Sequence, residues 1–369
     1  MSIQTTEQLF ALNLRECAEA IKAVGHEVTV LVQGHMGCGK TSIKKMLETD
    51  LPTHRAIYFD GTTKDLGDMM FPEVVRDDPD AACNYVRFAP NEETGMHLDG
   101  PVIIMLDEFG KMNPSVKNAC MRLMLEREFA GRRLHPESIV FATTNLGTEG
   151  VGDIMMAHHE NRITTVRLKK PTADEWIEEF AYNAGIHTAI ISWVKENGEA
   201  LFQSFEEVSN PDDNPYIFHP KAQRKKFVTP RSLELASHWL HKMDQLSGNT
   251  LKQALMGTIG ARGGADLEAY ISLYSQLPKQ KEIMADPMNA KVPDSASAKV
   301  MLVNRAITSM TQEFCTPWLN YMERLDTEAQ ALFVMQVRKP TYGKQSMVMT
   351  NRKFTDWCMA NNYLFTADV

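Results

Sequence analysis

The segment from Gly34 to Thr41, GHMGCGKT, constrains this chain more than any other stretch of its sequence. It follows the β-branched run EVTVLV, from Glu27 to Val32, which predicts a buried strand. A helical pattern begins directly after it, near Ser42. Glycines in such a loop let backbone N–H groups close around phosphate oxygens, and the N-terminus of the following helix adds a favourable dipole. The pattern GxxxxGK[ST] between a strand and a helix therefore predicts a phosphate-binding P-loop.

Chemistry within this loop is expected from its last residues. Lys40 is predicted to reach the β- and γ-phosphates of a nucleotide, and Thr41 to ligate Mg²⁺. His35, Met36 and Cys38 occupy the variable positions of the motif, so their side chains are assigned no chemistry. The predicted nucleotide-binding segment comprises Gly34, His35, Met36, Gly37, Cys38, Gly39, Lys40, Thr41 and Ser42.

A second polar position follows the apolar run from Val102 to Leu106, within a strand predicted over Pro101–Phe109. Two acids, Asp107 and Glu108, end this run, which is the Walker B arrangement. Asp107 is expected to bind the nucleotide and to hold Mg²⁺, and Glu108 to polarise an attacking water. A strand that ends in acids is common by itself, but together with a P-loop it indicates hydrolysis of a nucleoside triphosphate.

A polar amide ends the next predicted strand, which covers Ser138–Asn145. Asn145 at this position can orient the lytic water against the γ-phosphate. The alternative is an asparagine that only forms the turn after the strand. The sequence contains no guanine-recognition motif of the NKxD type, so ATP is predicted rather than GTP.

The order of elements predicts the fold class. Further short strands are expected at Ala56–Asp60 and Ile163–Leu168, and helices alternate with the strands. Continuous apolar strands alternating with helices indicate a parallel sheet covered on both faces. The prediction is an α/β P-loop NTPase core with a parallel sheet flanked by helices over residues 1–168, an α-helical lid domain over 169–280, and a C-terminal extension over 281–369.

This ordered set of motifs resembles the AAA+ ATPase family and, within it, the MoxR branch. The resemblance covers about residues 28–275. It rests on the P-loop, the LDE and ATTN motifs, KDLG at Lys64–Gly67, LDEFGKMNPSVKNACMRLMLERE around Asp107, and TPRSLELAS from Thr229.

The resemblance implies roles for two arginines. Arg162 matches the arginine finger that reaches the γ-phosphate of a neighbouring subunit, although Asn161 and Ile163 stand where the family has Asp and Phe. Arg231 matches sensor 2, which contacts the nucleotide of its own subunit. The alternative for each arginine is a solvated surface charge. Residues 127–138 match a β-hairpin that lines the central channel of AAA+ rings.

The resemblance also implies an assembly and a task. The chain is expected to form a homo-oligomeric ring, usually a hexamer, in the cytoplasm, and to remodel a protein client by ATP hydrolysis, with a von Willebrand A-domain protein as a possible partner. Two alternatives come from other functional classes: a nucleic-acid motor or loader, and a structural protein whose ATP site only locks an assembly. Intact Glu108 and Asn145 argue against the last of these.

The amino-acid composition argues against several other classes of protein. The 39 basic and 47 acidic residues give a net charge of −8, which argues against nonspecific nucleic-acid binding by the whole surface. No apolar run approaches the roughly 20 residues of a spanning helix, and the first residues show no secretion signal. The six cysteines lack paired spacing, which favours free thiols in a reducing compartment over a disulfide framework or a zinc site.

Two weaker candidates have simpler explanations. His158 and His159 with Glu160 suggest metal binding, but adjacent histidines point poorly at one ion, so a polar loop is favoured. The basic run Lys221–Lys226 could grip nucleic acid or an acidic partner, but a solvated loop is favoured there.

Overall fold

The computed structural model describes residues 10–76, 84–149, 161–274 and 277–361. The chain divides into two compact units, one ending at Lys170 and one beginning at Pro171. None of the helices in the described ranges has the length and apolarity needed to cross a bilayer. In chain order the strands are β1 (Val30–Gln33), β2 (Arg55–Asp60), β3 (Met70–Val75), β4 (Tyr85–Pro90), β5 (Val102–Asp107), β6 (Glu128–Phe129), β7 (Arg132–Arg133), β8 (Ile139–Thr144) and β9 (Thr164–Arg167).

The first unit is organised by a five-stranded sheet with the order β2-β5-β8-β1-β9. All neighbouring strands in it run parallel. Every residue of β5 and β8 is buried, because helices cover both faces of the sheet. The predicted fold class, an α/β core with a parallel sheet between helices and a separate helical region, is confirmed.

Alternate residues of the central strands enter two different hydrophobic cores. Ile103 and Met105 of β5 face one side, where they meet side chains of the first two helices. Ile104 and Leu106 face the other side, where the long helix after β5 packs. This period of two is the one a strand imposes on its side chains. The helices of this unit are α1 (Leu14–Val24), α2 (Ser42–Asp50), α3 (Leu66–Met69) and α4 (Pro114–Glu126).

The sequence predicts where the strands of the five-stranded sheet lie more accurately than it predicts the residues at which they begin and end. The first strand begins at Val30 rather than at Glu27, because the chain after α1 is still turning at His26 and Glu27. Helix α1 and the antiparallel pair β3–β4 were not predicted from the sequence. In the β3–β4 pair most side chains are exposed on both faces, so it lacks the half-buried alternation that marks a strand.

The hairpin predicted over residues 127–138 is present as β6 and β7. Its two turn residues, Ala130 and Gly131, have φ values of 51° and 75°. Positive φ at both central positions is the type I′ geometry that suits the twist of a two-residue hairpin. The proposed position of this hairpin at a ring channel stays a prediction.

The second unit is helical and has one hydrophobic core, which extends from Trp176 to Trp357. Polar contacts also cross the boundary predicted near residue 280, since Asn304 Nδ2 donates to Ser192 Oγ at 3.1 Å. The division into a lid and an extension stays a prediction. The helices of this unit are α5 (Ala173–Trp176), α6 (Thr188–Phe202), α7 (Pro230–Leu240), α8 (Gly248–Ile259), α9 (Ala261–Tyr274), α10 (Gln280–Ala285), α11 (Ala296–Ser309), α12 (Gln312–Met322), α13 (Thr327–Val337), α14 (Gln345–Met349) and α15 (Arg352–Ala360).

Two polar segments of this unit have specific structure. Residues 278–298 include several Pro and Asp residues, which are typical of loops, but they contain helix α10. In the basic run 221–226, Arg224 points inward and donates to the backbone oxygens of Asn214, Ile217 and Pro211. Arg224 therefore stabilises its own loop.

Arg127 supports the first unit from within. It ends α4 with a left-handed φ of 55°, and its guanidinium donates to Gly25 O at 2.9 Å, to Thr29 Oγ1 at 2.6 Å and to Met124 O. Burial lowers the pKa of Arg127 to about 10, so the group stays charged at neutral pH. The contact joins the end of α4 to the turn that leads into β1.

We expect Arg127→Ala to lower the free energy of unfolding by about 1.5–3 kcal/mol, because it leaves buried acceptors without a charged donor. Urea unfolding of the full chain measures this. Arg132→Ala, on the exposed strand β7, is the control and should change stability by less than about 0.5 kcal/mol. Equal effects of the two substitutions would show that the bonds of Arg127 add nothing to stability.

Candidate active site

The loop after β1 adopts a conformation that requires its glycines. Gly37 and Gly39 have φ values of 71° and 96°, which L-residues rarely adopt. A side chain at Gly34 would place its Cβ 2.9 Å from Leu168 Cβ. Left-handed residues alternating with ordinary ones turn successive N–H groups toward one side and create an anion-binding concavity. The loop therefore has the backbone shape that the sequence pattern predicts.

Lys40 is buried at the centre of this loop. Its Nζ donates to Gly34 O at 2.8 Å, to His35 O at 2.9 Å and to Asn145 Oδ1 at 2.7 Å. An ammonium group has three hydrogens, so all of them are used. These bonds hold the charge of Lys40 in one position and offset the cost of burying it.

Asn145 joins Lys40 to Glu108. Its Oδ1 accepts from Lys40, and its Nδ2 donates to Glu108 Oε2 at 3.2 Å. Lysine can only donate and an ionised carboxylate can only accept, so the orientation of this amide follows from its partners. The structure thus brings together three of the residues predicted from separate motifs.

Glu108 has a strained backbone. Its φ and ψ of 52° and 35° are left-handed, which costs a non-glycine residue about 1–3 kcal/mol. Its Oε2 lies 2.6 Å from Lys111 Nζ, and both side chains are partly exposed. The left-handed conformation turns the chain sharply after β5. The carboxylates of Asp107 and Glu108 therefore contact different residues.

Asp107 is buried and is held by neighbouring strands. Tyr58 on β2 donates its hydroxyl to Asp107 Oδ2 at 2.9 Å, and Thr143 on β8 donates to Oδ1. The N–H of Glu108 also donates to Oδ1, at 3.1 Å. These contacts fix the orientation of the carboxylate at the end of the sheet. No role for Tyr58 or Thr143 was predicted from the sequence.

The oxygen donors at this edge of the sheet fit Mg²⁺. Thr41 offers a hydroxyl and Asp107 a carboxylate, and Mg²⁺ is usually bound by one or two such groups together with water and substrate phosphates. Among the described residues, no group of three or more His, Cys, Asp or Glu side chains could hold a metal ion by themselves. The ligand roles of Thr41 and Asp107 remain predictions.

The variable positions of the loop differ from one another. Cys38 is buried, and burial raises the pKa of its thiol, which agrees with a spacer role. His35, which the sequence analysis left without chemistry, bonds through Nδ1 to Glu149 Oε1 at 2.9 Å. Glu149 lies 114 positions away in sequence, so no local pattern could have revealed this pair.

The two predicted arginines lie in different units. Arg162 is exposed and precedes β9, while His158, His159 and Glu160 lie outside the described residues. Arg231 is exposed in the first turn of α7, which Thr229 caps by accepting from the N–H of Ser232 at 3.0 Å. The finger and sensor 2 roles of these arginines stay predictions.

No protein-family model and no curated protein matches the sequence. Solved structures do match. A RuvB point mutant from Thermotoga maritima is 13% identical, with a TM-score of 0.37 over 75% of this chain and 74% of that chain. The RuvB Holliday junction branch migration motor from the same organism is 14% identical, with a TM-score of 0.34 over 75% and 74%. Another T. maritima RuvB mutant is 13% identical, with a TM-score of 0.33 over 91% and 85%. All three scores lie below 0.5, so these structures carry no weight for the chemistry of the site.

Proposed function

We propose that this chain is an AAA+ ATPase that hydrolyses Mg-ATP by in-line attack of water on the γ-phosphate. The observation that carries the proposal is the hydrogen-bonded series Lys40–Asn145–Glu108. Its members follow β1, β8 and β5, which lie side by side in the sheet. An ammonium group, an amide and a carboxylate are thereby gathered at the carboxyl edge of a parallel sheet, where such sheets bind ligands.

The loop and Lys40 would bind the phosphates. Loop N–H groups and the N-terminus of α2 supply partial positive charge, and Lys40 supplies a full one. Phosphate oxygens would replace at least one of the three acceptors that Lys40 now uses, because its hydrogens are all engaged. The acceptor on a side chain, Asn145 Oδ1, is the one most easily exchanged, since the other two are backbone oxygens of the loop itself.

Glu108 and Asn145 would then act on water. Glu108 accepts a proton from the attacking water, and Asn145 holds that water in line with the γ-phosphate. Thr41 and Asp107 would hold Mg²⁺, which neutralises charge on the phosphate oxygens. Arg231 of the same subunit and Arg162 of a neighbour would stabilise the charge that develops as the phosphoanhydride breaks.

The assembly and the client extend this proposal. We infer a homo-oligomeric ring of MoxR type, a hexamer, that acts in the cytoplasm on a protein client, with a von Willebrand A-domain partner. The motif resemblance supports these features, and the exposure of Arg162 is what a contact with a neighbouring subunit requires. The net charge of −8 supports a protein client over nucleic acid.

Lys40→Ala should abolish tight ATP binding, because it removes the buried cation that the loop holds in place. Equilibrium titration with a fluorescent ATP analogue measures the affinity. Lys45→Ala, on the exposed side of α2, is the matched control and should bind as the wild type does. Unchanged affinity in a folded Lys40→Ala variant would show that residues 34–41 do not bind the nucleotide.

Glu108→Gln should retain ATP binding and lose hydrolysis by about 10²–10⁴-fold, since an amide keeps the shape of the carboxyl but cannot take a proton. Phosphate release under saturating ATP measures turnover. Glu126→Gln, an exposed change on α4, is the control. Turnover near the wild-type value would place the activating group elsewhere.

Arg162→Ala should leave nucleotide binding by each subunit largely intact but lower hydrolysis by about 10³–10⁵-fold, the usual value of an arginine finger. Mixing tests the action across an interface. An Arg162→Ala subunit keeps Glu108, and a Glu108→Gln subunit keeps Arg162, so mixed rings should regain activity that neither variant shows alone.

Rings shown to contain both subunits yet lacking rescue would contradict a role of Arg162 in trans. Arg122, Arg132, Arg133 and Arg167 would then be tested for the finger. Arg127 does not belong to this group, because its guanidinium is bonded to groups inside the first unit. Arg122 is paired with Glu126 and Glu128 and would have to leave both.

A further inference from the structure

Glu149 is a buried carboxylate that the proposed hydrolysis does not use. It ends a short 3₁₀ turn, Gly147–Glu149, that follows β8. Its side chain is 2% exposed. Burying a carboxylate is costly unless hydrogen bonds compensate it, so its partners explain its place in the fold.

Both partners of Glu149 lie in the phosphate-binding loop. Oε1 is 2.9 Å from His35 Nδ1, and Oε2 accepts from the N–H of Met36 at 3.1 Å. An ionised carboxylate only accepts, so Nδ1 of His35 carries the hydrogen in this contact. We call this arrangement of Glu149, His35 and Met36 the loop clasp.

The loop clasp reaches Lys40 through the backbone. The carbonyl oxygen of His35, whose ring Glu149 holds, accepts from Lys40 Nζ at 2.9 Å. Movement of His35 would therefore displace one of the oxygens that fix the Lys40 ammonium. The pair also joins the turn after β8 to the loop after β1, two segments that approach each other because β1 and β8 are neighbours.

We infer that Glu149 is a positioning residue for the triphosphate: by holding His35 and Met36, it keeps the loop and Lys40 in the conformation that binds phosphate. The inference rests on the proposed function. It assigns Glu149 no contact with the nucleotide. It also gives His35 a role as the donor through which Glu149 acts.

A role of Glu149 through its charge alone and a role in positioning the loop predict opposite changes in ATP affinity for Glu149→Gln. A carboxylate bonded to a phosphate-binding loop repels the bound anion, so removal of its charge alone would tighten ATP binding. A glutamine has one oxygen acceptor in place of two and cannot hold both donors as the carboxylate does. If Glu149 positions the loop, Glu149→Gln weakens ATP binding although it removes a negative charge.

The experiment titrates a fluorescent ATP analogue into the full-length wild type, Glu149→Gln, His35→Ala, His35→Asn and the double variant His35→Ala/Glu149→Gln. We expect Glu149→Gln and His35→Ala each to raise the Kd by about tenfold or more, as for a lost hydrogen bond to a charged group. In steady-state assays they should raise KM for ATP more than they lower kcat. The Kd of the double variant should be only slightly higher than that of the weaker-binding single variant, because both substitutions break the same contact between Glu149 and His35.

His35→Asn provides the rescue. The asparagine amide can place a donor near the position of Nδ1, so this variant should bind ATP much more tightly than His35→Ala. Glu126→Gln, an exposed loss of the same charge, is the control for net charge and should leave the Kd unchanged. Thermal unfolding without nucleotide identifies the temperature at which every variant is folded, and the titrations are made below it.

The outcomes separate this inference from the proposed function. If folded Glu149→Gln binds ATP as tightly as the wild type or more tightly, or if His35→Asn is no better than His35→Ala, the positioning role is wrong while the ATPase proposal stands. If the wild type itself binds no ATP and Lys40→Ala changes nothing, the proposed function is wrong.

Discussion

Burial of both faces of β1, β5 and β8 is the constraint on which the rest of the first unit depends. Helices cover the two faces, so alternate residues of each strand enter separate cores and these strands are held parallel at the centre of the sheet. Parallel neighbours end at the same edge. Gly34, Asp107 and Asn145, each placed just after or at the end of one of these strands, are therefore brought to one place although motifs far apart in sequence supply them.

The polar groups at that edge are held in place by hydrogen bonds to one another and to the backbone. Lys40 uses all its hydrogens, the orientation of Asn145 follows from its two charged partners, and Asp107 accepts from groups on both neighbouring strands. In surroundings of low polarity such bonds are strong, and an unpaired group would be costly. The strained backbone at Glu108 is tolerated within this network.

Local patterns predicted most members of the candidate site. The loop, Asp107, Glu108 and Asn145 were predicted because each follows an apolar strand and belongs to a short motif. Lys111 lies three residues after Glu108, a short spacing that is visible in the sequence itself. Tyr58 lies 49 positions from Asp107, and Glu149 lies 114 positions from His35. These contacts are revealed only by the tertiary structure, in which the strands next to these residues are neighbours in the sheet. The pair β3–β4 is exposed and has no buried face, so its sequence lacks the alternation that predicts a strand.

The sequence by itself determined the glycine-rich loop, the parallel α/β core and the acids and amide at the strand ends, because glycine requirements and runs of apolar residues act over a few neighbouring positions. The tertiary structure alone decided that Tyr58 donates to Asp107 and that Glu149 contacts His35. It also determined that the side chains of Arg127 and Arg224 stabilise the folded chain. These choices depend on where the chain places distant backbone oxygens and side chains, and no local pattern encodes a distance between them.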